Sequence, residues 1–227
     1  MAMDAVVRRI GEVGIIPVVR ATTSTEALRA VEAIRLGGIS IVEITMTVPD
    51  APAVIHDVAR QYGDDVLVGA GTVLSAEQAK RCIDAGAEFV VSPGLSIPVL
   101  SAALACDKLA IPGALTPTEL MSAQDKGAKV IKIFPCGNMG GPKYLRALKA
   151  PFPGAALIPT GGVNASNAAE FFRAGAFALG VGADLVDATA MQDGNWAKIT
   201  QAALDLVQAV LAARVQPNVH NTPATSL

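Results

Sequence analysis

The chain has 227 residues, a length that suits one domain with a sizeable core, and 52% of them are hydrophobic. The formal net charge of −2 and the lack of a basic run argue against nucleic acid as a partner and leave only local sites for phosphate. No apolar stretch reaches about 18 residues without a break, so no membrane span is expected. Residues 1–12 carry charges where a signal peptide needs an apolar centre, which predicts a cytoplasmic location.

The cysteines and histidines show no metal-binding pattern. Cys82, Cys106 and Cys136 are odd in number and far apart, which favours reduced thiols over a disulfide framework. Cys136 directly follows a predicted strand and is either a reactive thiol or, more simply, a small residue in a turn. His56 lies in a helical pattern and His220 near the end of the chain, and neither has metal-ligand spacing to other candidate ligands. The sequence therefore predicts neither a metal site nor another cofactor.

Strand and helix patterns alternate from one end of the chain to the other. The predicted strands are residues 14–20, 41–45, 66–70, 89–91, 109–111, 129–135, 156–159 and 177–181. Helical patterns follow them, at residues 24–36, 51–62, 75–86, 97–106, from 116 onward, and at 142–149, 165–174 and 196–215. Eight βα units in about this length predict an α/β fold, a single-domain (β/α)8 TIM barrel over residues 1–213. Residues 214–227 are expected to form a loose tail.

Three helix starts carry capping signals. Ser24 and Ser75 stand where an N-cap is expected, because their hydroxyl groups can accept hydrogen bonds from backbone N–H groups of the first turn. The segment 116–119, Thr-Pro-Thr-Glu, combines a cap, a proline at the first helical position and the acid of a capping box. These signals predict where the corresponding helices begin.

A repeat of roughly 40 to 50 residues supports the barrel. A helix-end glycine precedes the second, fourth, sixth and eighth strands, at Gly38, Gly86, Gly127 and Gly175. Counting five residues on from each gives Glu43, Val91, Lys132 and Gly180. Equivalent positions on alternate strands share one layer of a barrel interior, and the second and sixth strands lie opposite each other. Glu43 and Lys132 are therefore expected to project into one layer, with Gly180 leaving room between them.

Lys132 is the strongest candidate for chemistry. It lies in the middle of a strand among isoleucines and a phenylalanine, where an ammonium loses solvation, and a partly neutral lysine is a nucleophile for a carbonyl. One alternative is a lysine whose stem packs while its head reaches water. Another is a salt bridge with Glu43 that only fills the barrel. The position of both residues at the carboxyl ends of their strands, where this fold places active sites, favours catalysis.

Glycine-rich segments after the seventh and eighth strands predict a phosphate site, because backbone N–H groups at helix starts bind anions there in this fold. They run over residues 159–164 and 180–184 and contain the candidate binding residues Thr160, Gly161, Gly162, Gly182 and Ala183. Thr72 and Pro93 follow the third and fourth strands, Arg20 ends the first strand, and all three are expected at the same rim. Arg20 has an alternative role as the partner of a surface acid.

An ordered set of motifs resembles the bacterial 2-keto-3-deoxy-6-phosphogluconate (KDPG) and 4-hydroxy-2-oxoglutarate (KHG) aldolases from about Ile15 to Val186. The set is Glu43 in Glu-Ile-Thr, Gly-Ala-Gly-Thr-Val-Leu at 69–74, Ser-Pro-Gly at 92–94, Lys132 in Lys-Ile-Phe-Pro, and Pro-Thr-Gly-Gly-Val at 159–163. The resemblance implies a class I aldolase, usually a homotrimer. Such an enzyme cleaves a 2-keto-3-deoxy sugar acid to pyruvate and an aldehyde. The expected substrate is KDPG, for which the aldehyde is glyceraldehyde 3-phosphate.

The resemblance also implies roles for individual residues. Lys132 would form the Schiff base and Glu43 would act as the acid and base. The pyruvate part would be lined by Thr72, Pro93 and Phe134, and the distal end of the substrate by Thr160, Gly161 and Gly162.

Two positions depart from the family pattern. Many phosphogluconate enzymes carry an arginine four residues after the glutamate, where it takes the substrate carboxylate, but this chain has Thr47 there. Arg20 on the neighbouring strand is a candidate for supplying that cation. Ala183 stands where a hydroxyl residue is often found near the phosphate, so a phosphorylated substrate is less firmly implied than the reaction.

Two other functions remain open from the sequence. A sugar-phosphate isomerase or epimerase would use Glu43 and Lys132 to move protons without a covalent step. A ligand-binding barrel would have kept the fold and lost the chemistry. The expected partner in every case is a small 2-keto acid or sugar-acid phosphate, not nucleic acid or a membrane.

Overall fold

A computed structural model describes residues 1–215 of the chain. The strands are β1 (Ile15–Val19), β2 (Ile41–Thr45), β3 (Leu67–Gly71), β4 (Phe89–Val91), β5 (Leu109–Ile111), β6 (Gly113–Ala114), β7 (Val130–Ile133), β8 (Ala156–Pro159) and β9 (Leu179–Val181). The α-helices are α1 (Met3–Val13), α2 (Ser24–Leu36), α3 (Ala51–Tyr62), α4 (Ala76–Asp84), α5 (Ile97–Ala105), α6 (Pro117–Asp125), α7 (Pro142–Lys149), α8 (Ala168–Arg173), α9 (Ala188–Gln192) and α10 (Trp196–Val215).

The paired strands are all parallel and close into a barrel. Backbone hydrogen bonds join the strands in two sheets, with the strand orders β5-β4-β3-β2-β1-β9 and β6-β7-β8. At one seam, β5 and β6 are two halves of one strand interrupted at Pro112, whose carbonyl accepts a hydrogen bond from the Lys132 backbone N–H at 2.9 Å. At the other seam, the Phe177 N–H donates to the Leu157 carbonyl at 2.8 Å, and Thr160 bridges to Gly180. The predicted (β/α)8 barrel is confirmed.

Helix α1 closes the amino-terminal end of the barrel. Val6 and Ile10 of α1 are fully buried and belong to the same apolar cluster as the inward-facing residues. Those residues lie on most of the strands: Ile16, Ile41, Leu67, Phe89, Leu109, Val130 and Ile158. The sequence patterns predict no helix before the first strand, although Val6, Ile10 and Val13 recur at helical spacing. With one end sealed by apolar side chains, the open end of the barrel is the carboxyl end.

The capping signals are confirmed at two of three helices. Ser75 accepts a hydrogen bond from the Gln78 N–H, and Thr116 and Glu119 form a complete capping box. At α2 the prediction was wrong by one residue, because Thr23 accepts from the Glu26 N–H and Ser24 is already helical. Either hydroxyl residue can cap a helix, so the local sequence does not separate them.

The carboxyl-terminal helix α10 runs to Val215, so it includes the first two residues assigned to the expected tail. Residues 216–227, with His220, lie outside the described residues, and the boundary of the tail stays a prediction. Within residues 1–215, no helix is both long enough and apolar enough to cross a bilayer.

Candidate active site

Lys132 and Glu43 meet inside the barrel. Lys132 lies on β7, in register with Gly113 of β6 and Ile158 of β8, whereas Glu43 lies on β2. The side chains of Lys132 and Glu43 are 6% and 4% exposed, and Lys132 Nζ lies 3.8 Å from Glu43 Oε1. The two head groups thus share one layer across the barrel, as the glycine repeat predicts.

The pair is held by charge and not by a hydrogen bond. The distance of 3.8 Å allows an ion pair but exceeds the 2.7–2.9 Å typical of an ammonium donating to a carboxylate. Glu43 Oε1 is buried and has no hydrogen-bond partner among the described residues. A buried carboxylate oxygen normally has a partner, so this atom is available to a donor that enters the site.

Gly71, and not Gly180, provides the space for the carboxylate. A Cβ atom at Gly71 would lie 2.0 Å from Glu43 Oε1, so any side chain at this position would displace the carboxylate. A Cβ atom at Gly180 would instead lie 2.2 Å from Thr160 Oγ1. The expected role of Gly180 is therefore corrected, because its missing side chain makes room for Thr160 on the neighbouring strand.

Phe134 and Pro93 lie close to the Lys132 strand. Lys132 Nζ is 5.3 Å from the centroid of the Phe134 ring, within the range of a cation–π contact. The Pro93 carbonyl oxygen would lie 2.2 Å from a Cβ atom at Gly113, the register partner of Lys132. The absence of a side chain at Gly113 thus lets the loop after β4 approach β7.

Thr72 has a strained backbone. Its φ of 56° lies in the left-handed region, which a β-branched residue seldom adopts. Such conformations cost about 1–3 kcal/mol and concentrate at functional sites. Thr72 directly follows β3 and is partly buried, which places this strained residue at the open end of the barrel.

The loop after β8 is built from two glycines with positive φ, 88° at Gly161 and 73° at Gly162. The Gly161 carbonyl accepts from the Gly137 N–H at 2.9 Å, and the Gly162 carbonyl accepts from Asn167 Nδ2 at 2.8 Å. Asn164 Nδ2 lies 3.5 Å from Asp184 Oδ1 and so links the two glycine segments. The glycine pattern predicts the two segments but not the roles of Asn164 and Asn167, although Asn is a common residue at turns and caps.

Arg20 points towards the loop after β9. Its Nη1 lies 3.5 Å from the place of a Cβ atom at Gly182. Within residues 1–215 Arg20 forms no ion pair, which removes its alternative role as the partner of a surface acid. Arg20 and Ala183 are both exposed at this rim. The expectation that Arg20 replaces the cation missing at Thr47 is not favoured, since the guanidinium lies beside β9.

Cys136 is buried, and burial raises the pKa of its thiol to about 11. A thiol with this pKa is almost fully protonated near neutral pH and is a poor nucleophile. The simpler interpretation, a small residue in a turn, therefore holds. In the part of the chain that the structure describes, no three His, Cys, Asp or Glu side chains are grouped as metal ligands.

Fold and site together define a (β/α)8 barrel with a buried amine–carboxylate pair suited to carbonyl chemistry at its open end. The family model described as "Aldolase: KDPG and KHG aldolase" matches residues 6–202. The chain belongs to this aldolase family. The relatives below are named as aldolases, which are lyases, so the predicted enzyme class is confirmed.

Three relatives illustrate the similarity. The KHG/KDPG aldolase of Escherichia coli K12 is 34% identical over 194 residues, covering 86% of this chain and 91% of that protein. The 2-dehydro-3-deoxy-6-phosphogalactonate aldolase of the same strain is 35% identical over 197 residues, covering 84% and 96%. The crystal structure of KDPG aldolase from Legionella pneumophila, with pyruvate captured at low pH as a covalent carbinolamine intermediate, has a TM-score of 0.82 and 31% identity, and the match covers 88% of this chain and 97% of that one.

Proposed function

We propose that the chain is a class I aldolase in which Lys132 forms a Schiff base with KDPG and cleaves it to pyruvate and glyceraldehyde 3-phosphate. The observation that carries this proposal is the position of Lys132 Nζ, 3.8 Å from a buried and otherwise unpaired Glu43 oxygen. The carbinolamine in the Legionella pneumophila relative supports covalent attack on the keto group of pyruvate. Because this chain is 31% identical to that relative and shares its barrel, we propose the same chemistry for it.

The reaction follows from the two side chains. The Lys132 ammonium passes a proton to Glu43, and the resulting amine attacks C2 of the substrate to form a carbinolamine. Glu43 returns the proton as the carbinolamine loses water and becomes a cationic imine. The imine draws the electrons of the C3–C4 bond while Glu43 takes the proton of the C4 hydroxyl, so the aldehyde leaves. The remaining enamine is protonated at C3 and hydrolysed, which releases pyruvate and restores the amine.

Charge and position favour this sequence of steps. A negative Glu43 at 3.8 Å stabilises the positive imine, and the face of the Phe134 ring does the same from another side. Because no hydrogen bond joins Glu43 to Lys132, the carboxylate is free to exchange protons with substrate atoms or a bridging water. The pyruvate part of the substrate would contact Thr72, Pro93 and Phe134.

The distal end of the substrate would lie at the loops after β8 and β9. The phosphate would contact Arg20, and the backbone of the glycine segments would donate to its oxygens. The substrate-binding set at this end is Arg20, Thr160, Gly161, Gly162, Gly182 and Ala183. Ala183 has no side-chain donor to offer the phosphate, and the missing hydrogen bond costs about 1 kcal/mol of binding. The arginine beside Gly182 offsets part of this loss, so a phosphorylated substrate is preferred. The proposed assembly is a homotrimer, which light scattering of the purified chain would test.

Trapping of the imine tests the nucleophile. The chain is incubated with pyruvate and sodium borohydride, and the modified peptide is located by mass spectrometry. We expect a reduced pyruvate adduct on Lys132, no adduct in Lys132→Met and a normal adduct in Lys129→Met. Lys129 is a matched control because it lies three residues earlier and binds Asp4 at the surface. An adduct on another lysine would reject Lys132 as the nucleophile, and the absence of any adduct would favour the isomerase or binding-barrel alternative.

The substrate is tested by retro-aldol assays coupled to pyruvate detection. The phosphogluconate and phosphogalactonate acids are compared, because relatives named for each are 34% and 35% identical. Assays with the unphosphorylated acids measure how much the phosphate contributes to kcat/KM. We expect the highest kcat/KM with KDPG, and a higher value with the galactonate epimer would reassign the substrate.

A further inference from the structure

The asparagine at the start of α8 does not cap its own helix. Asn167 occupies the N-cap position of α8, but its side chain makes no hydrogen bond to the backbone of the first turn. It turns back to the loop after β8 instead, where Nδ2 donates to the Gly162 carbonyl at 2.8 Å and Oδ1 accepts from the Asn164 N–H at 2.9 Å. Because asparagine at an N-cap usually serves the helix, its use on this loop points to a role in the loop itself.

The two bonds use both ends of one side-chain amide. A carbonyl oxygen only accepts and a backbone N–H only donates, so the amide fits with its nitrogen towards Gly162 and its oxygen towards Asn164. An aspartate would match the N–H group but would place a second acceptor against the carbonyl. Asn167 therefore connects the two ends of the segment 162–164 and fixes the direction of the Gly162 carbonyl.

The loop needs such a connection because it contains two glycines. Gly161 and Gly162 have φ values of 88° and 73°, and glycine adopts positive and negative φ about equally readily. A rotation of the peptide unit between Gly162 and Val163 would meet little resistance from the glycine backbone. It would place a carbonyl oxygen where an N–H group now lies. The bond from Asn167 to the Gly162 carbonyl opposes this rotation.

The bound carbonyls determine where the neighbouring N–H groups point. The peptide bonds of this loop are trans, and in a trans peptide the C=O and the following N–H point in opposite directions. The Gly161 carbonyl faces the Gly137 N–H, so the Gly162 N–H points away from Gly137. The Gly162 carbonyl faces Asn167, so the Val163 N–H points away from Asn167. Within residues 1–215 neither of these two N–H groups has a hydrogen-bond partner, and successive free N–H groups are suited to an anion.

We propose that Asn167 is a positioning residue that keeps the N–H groups of Gly162 and Val163 directed at the substrate phosphate and so sets the preference for phosphorylated acids. This inference rests on the proposed function, in which the phosphate lies at the glycine segments. With Asn167 in place the loop presents two donors. Without it the peptide unit can rotate and present the Gly162 carbonyl, which repels an anion. Asn167 acts through the loop and does not itself contact the substrate.

The test compares KDPG with its unphosphorylated counterpart in Asn167→Ala. We expect the ratio of the two kcat/KM values to fall about tenfold, mainly through a higher KM for KDPG, which corresponds to the loss of one hydrogen bond to a charged group. Asn167→Ser, whose shorter side chain cannot make both bonds, should change the ratio in the same direction. Asn195→Ala is the matched control, because it removes an asparagine bond to the Lys198 N–H at the start of α10 and should leave the ratio unchanged. Thermal unfolding shows whether each variant is folded.

The outcomes separate this inference from the proposed function. An unchanged ratio in folded Asn167→Ala, whether both activities fall together or neither falls, would show that the asparagine has no role specific to the phosphate and would overturn the inference.

Binding of inorganic phosphate, measured by calorimetry, tests Asn167 without turnover. We expect the dissociation constant to be about tenfold higher in Asn167→Ala, and equal constants, or no binding by the unmodified chain, would also overturn the inference. Borohydride trapping uses pyruvate, which carries no phosphate, and so reports on the Schiff base alone. Failed trapping together with weakened phosphate binding in Asn167→Ala would reject the proposed function and support the role of Asn167.

Discussion

Replacement of Gly71 by alanine is expected to displace the Glu43 carboxylate without changing any polar group. The new methyl group would lie 2.0 Å from Oε1 and 2.5 Å from Cδ of Glu43. Relaxation to an ordinary contact of about 3.5 Å moves the carboxylate oxygen by about 1.5 Å. A displacement of about 1 Å costs on the order of 100-fold in rate, which corresponds to about 2.7 kcal/mol in the activation barrier.

The assay for Gly71→Ala measures kcat and KM in the retro-aldol direction, with thermal unfolding of the same preparations. We expect kcat to fall about 100-fold while the chain remains folded, since overpacking costs about 1–3 kcal/mol of stability. Gly154→Ala is the matched control, because a Cβ atom at Gly154 meets nothing within 4 Å. Gly69→Ala separates stability from catalysis, because its Cβ atom would meet the Phe89 ring at 2.3 Å and not Glu43. Unchanged kcat in Gly71→Ala would refute the view that this glycine positions the carboxylate.

Three further predictions concern the stability of the fold and the reactivity of its thiols. Ile10→Ala should lower the free energy of unfolding by about 2–5 kcal/mol, because this side chain of α1 is fully buried at the closed end of the barrel. Arg8→Ala is the control, and since Arg8 is exposed it should change the free energy of unfolding by less than about 0.5 kcal/mol. Urea unfolding measures both variants, and equal effects would contradict the role of α1. Burial raises the pKa of the Cys82 and Cys136 thiols from 9.0 to about 11, so a thiol reagent at pH 8 should modify only Cys106 in the folded chain and all three thiols after denaturation. Since the unfolded chain releases these two protons at lower pH than the folded chain does, the free energy of unfolding should fall as the pH rises from 9 to 11.

Much of the architecture could be predicted because its signals are local. The bounds of β2, α3 and β5 agree with the predicted residues, and each is a short apolar run or a helical pattern bounded by capping or turn residues. The glycine repeat also predicted which residues share a layer, since equivalent positions in equivalent βα units repeat the same geometry. The meeting of Glu43 and Lys132 followed from this symmetry.

Local sequence patterns predicted the structure less well in two cases. In one, two neighbouring residues could both cap a helix, and in the other, a helix lay outside the repeat of strands and helices. Thr23 and Ser24 are both good caps, and only the hydrogen bond to the Glu26 N–H separates them. Helix α1 precedes the first strand and lies outside the alternation of strands and helices. The role of its apolar face is seen only in the folded chain, where it covers the amino-terminal end of the barrel.

The sequence by itself determined the barrel, the family and the two residues that meet at its centre, because hydrophobic period, glycine position and motif order are properties of neighbouring positions along the chain. The tertiary structure decided which glycine makes room for Glu43 and towards which strand Arg20 turns. These features depend on contacts between side chains from different strands. The stagger between strands and the packing around each head group set such contacts, and no single stretch of sequence contains them.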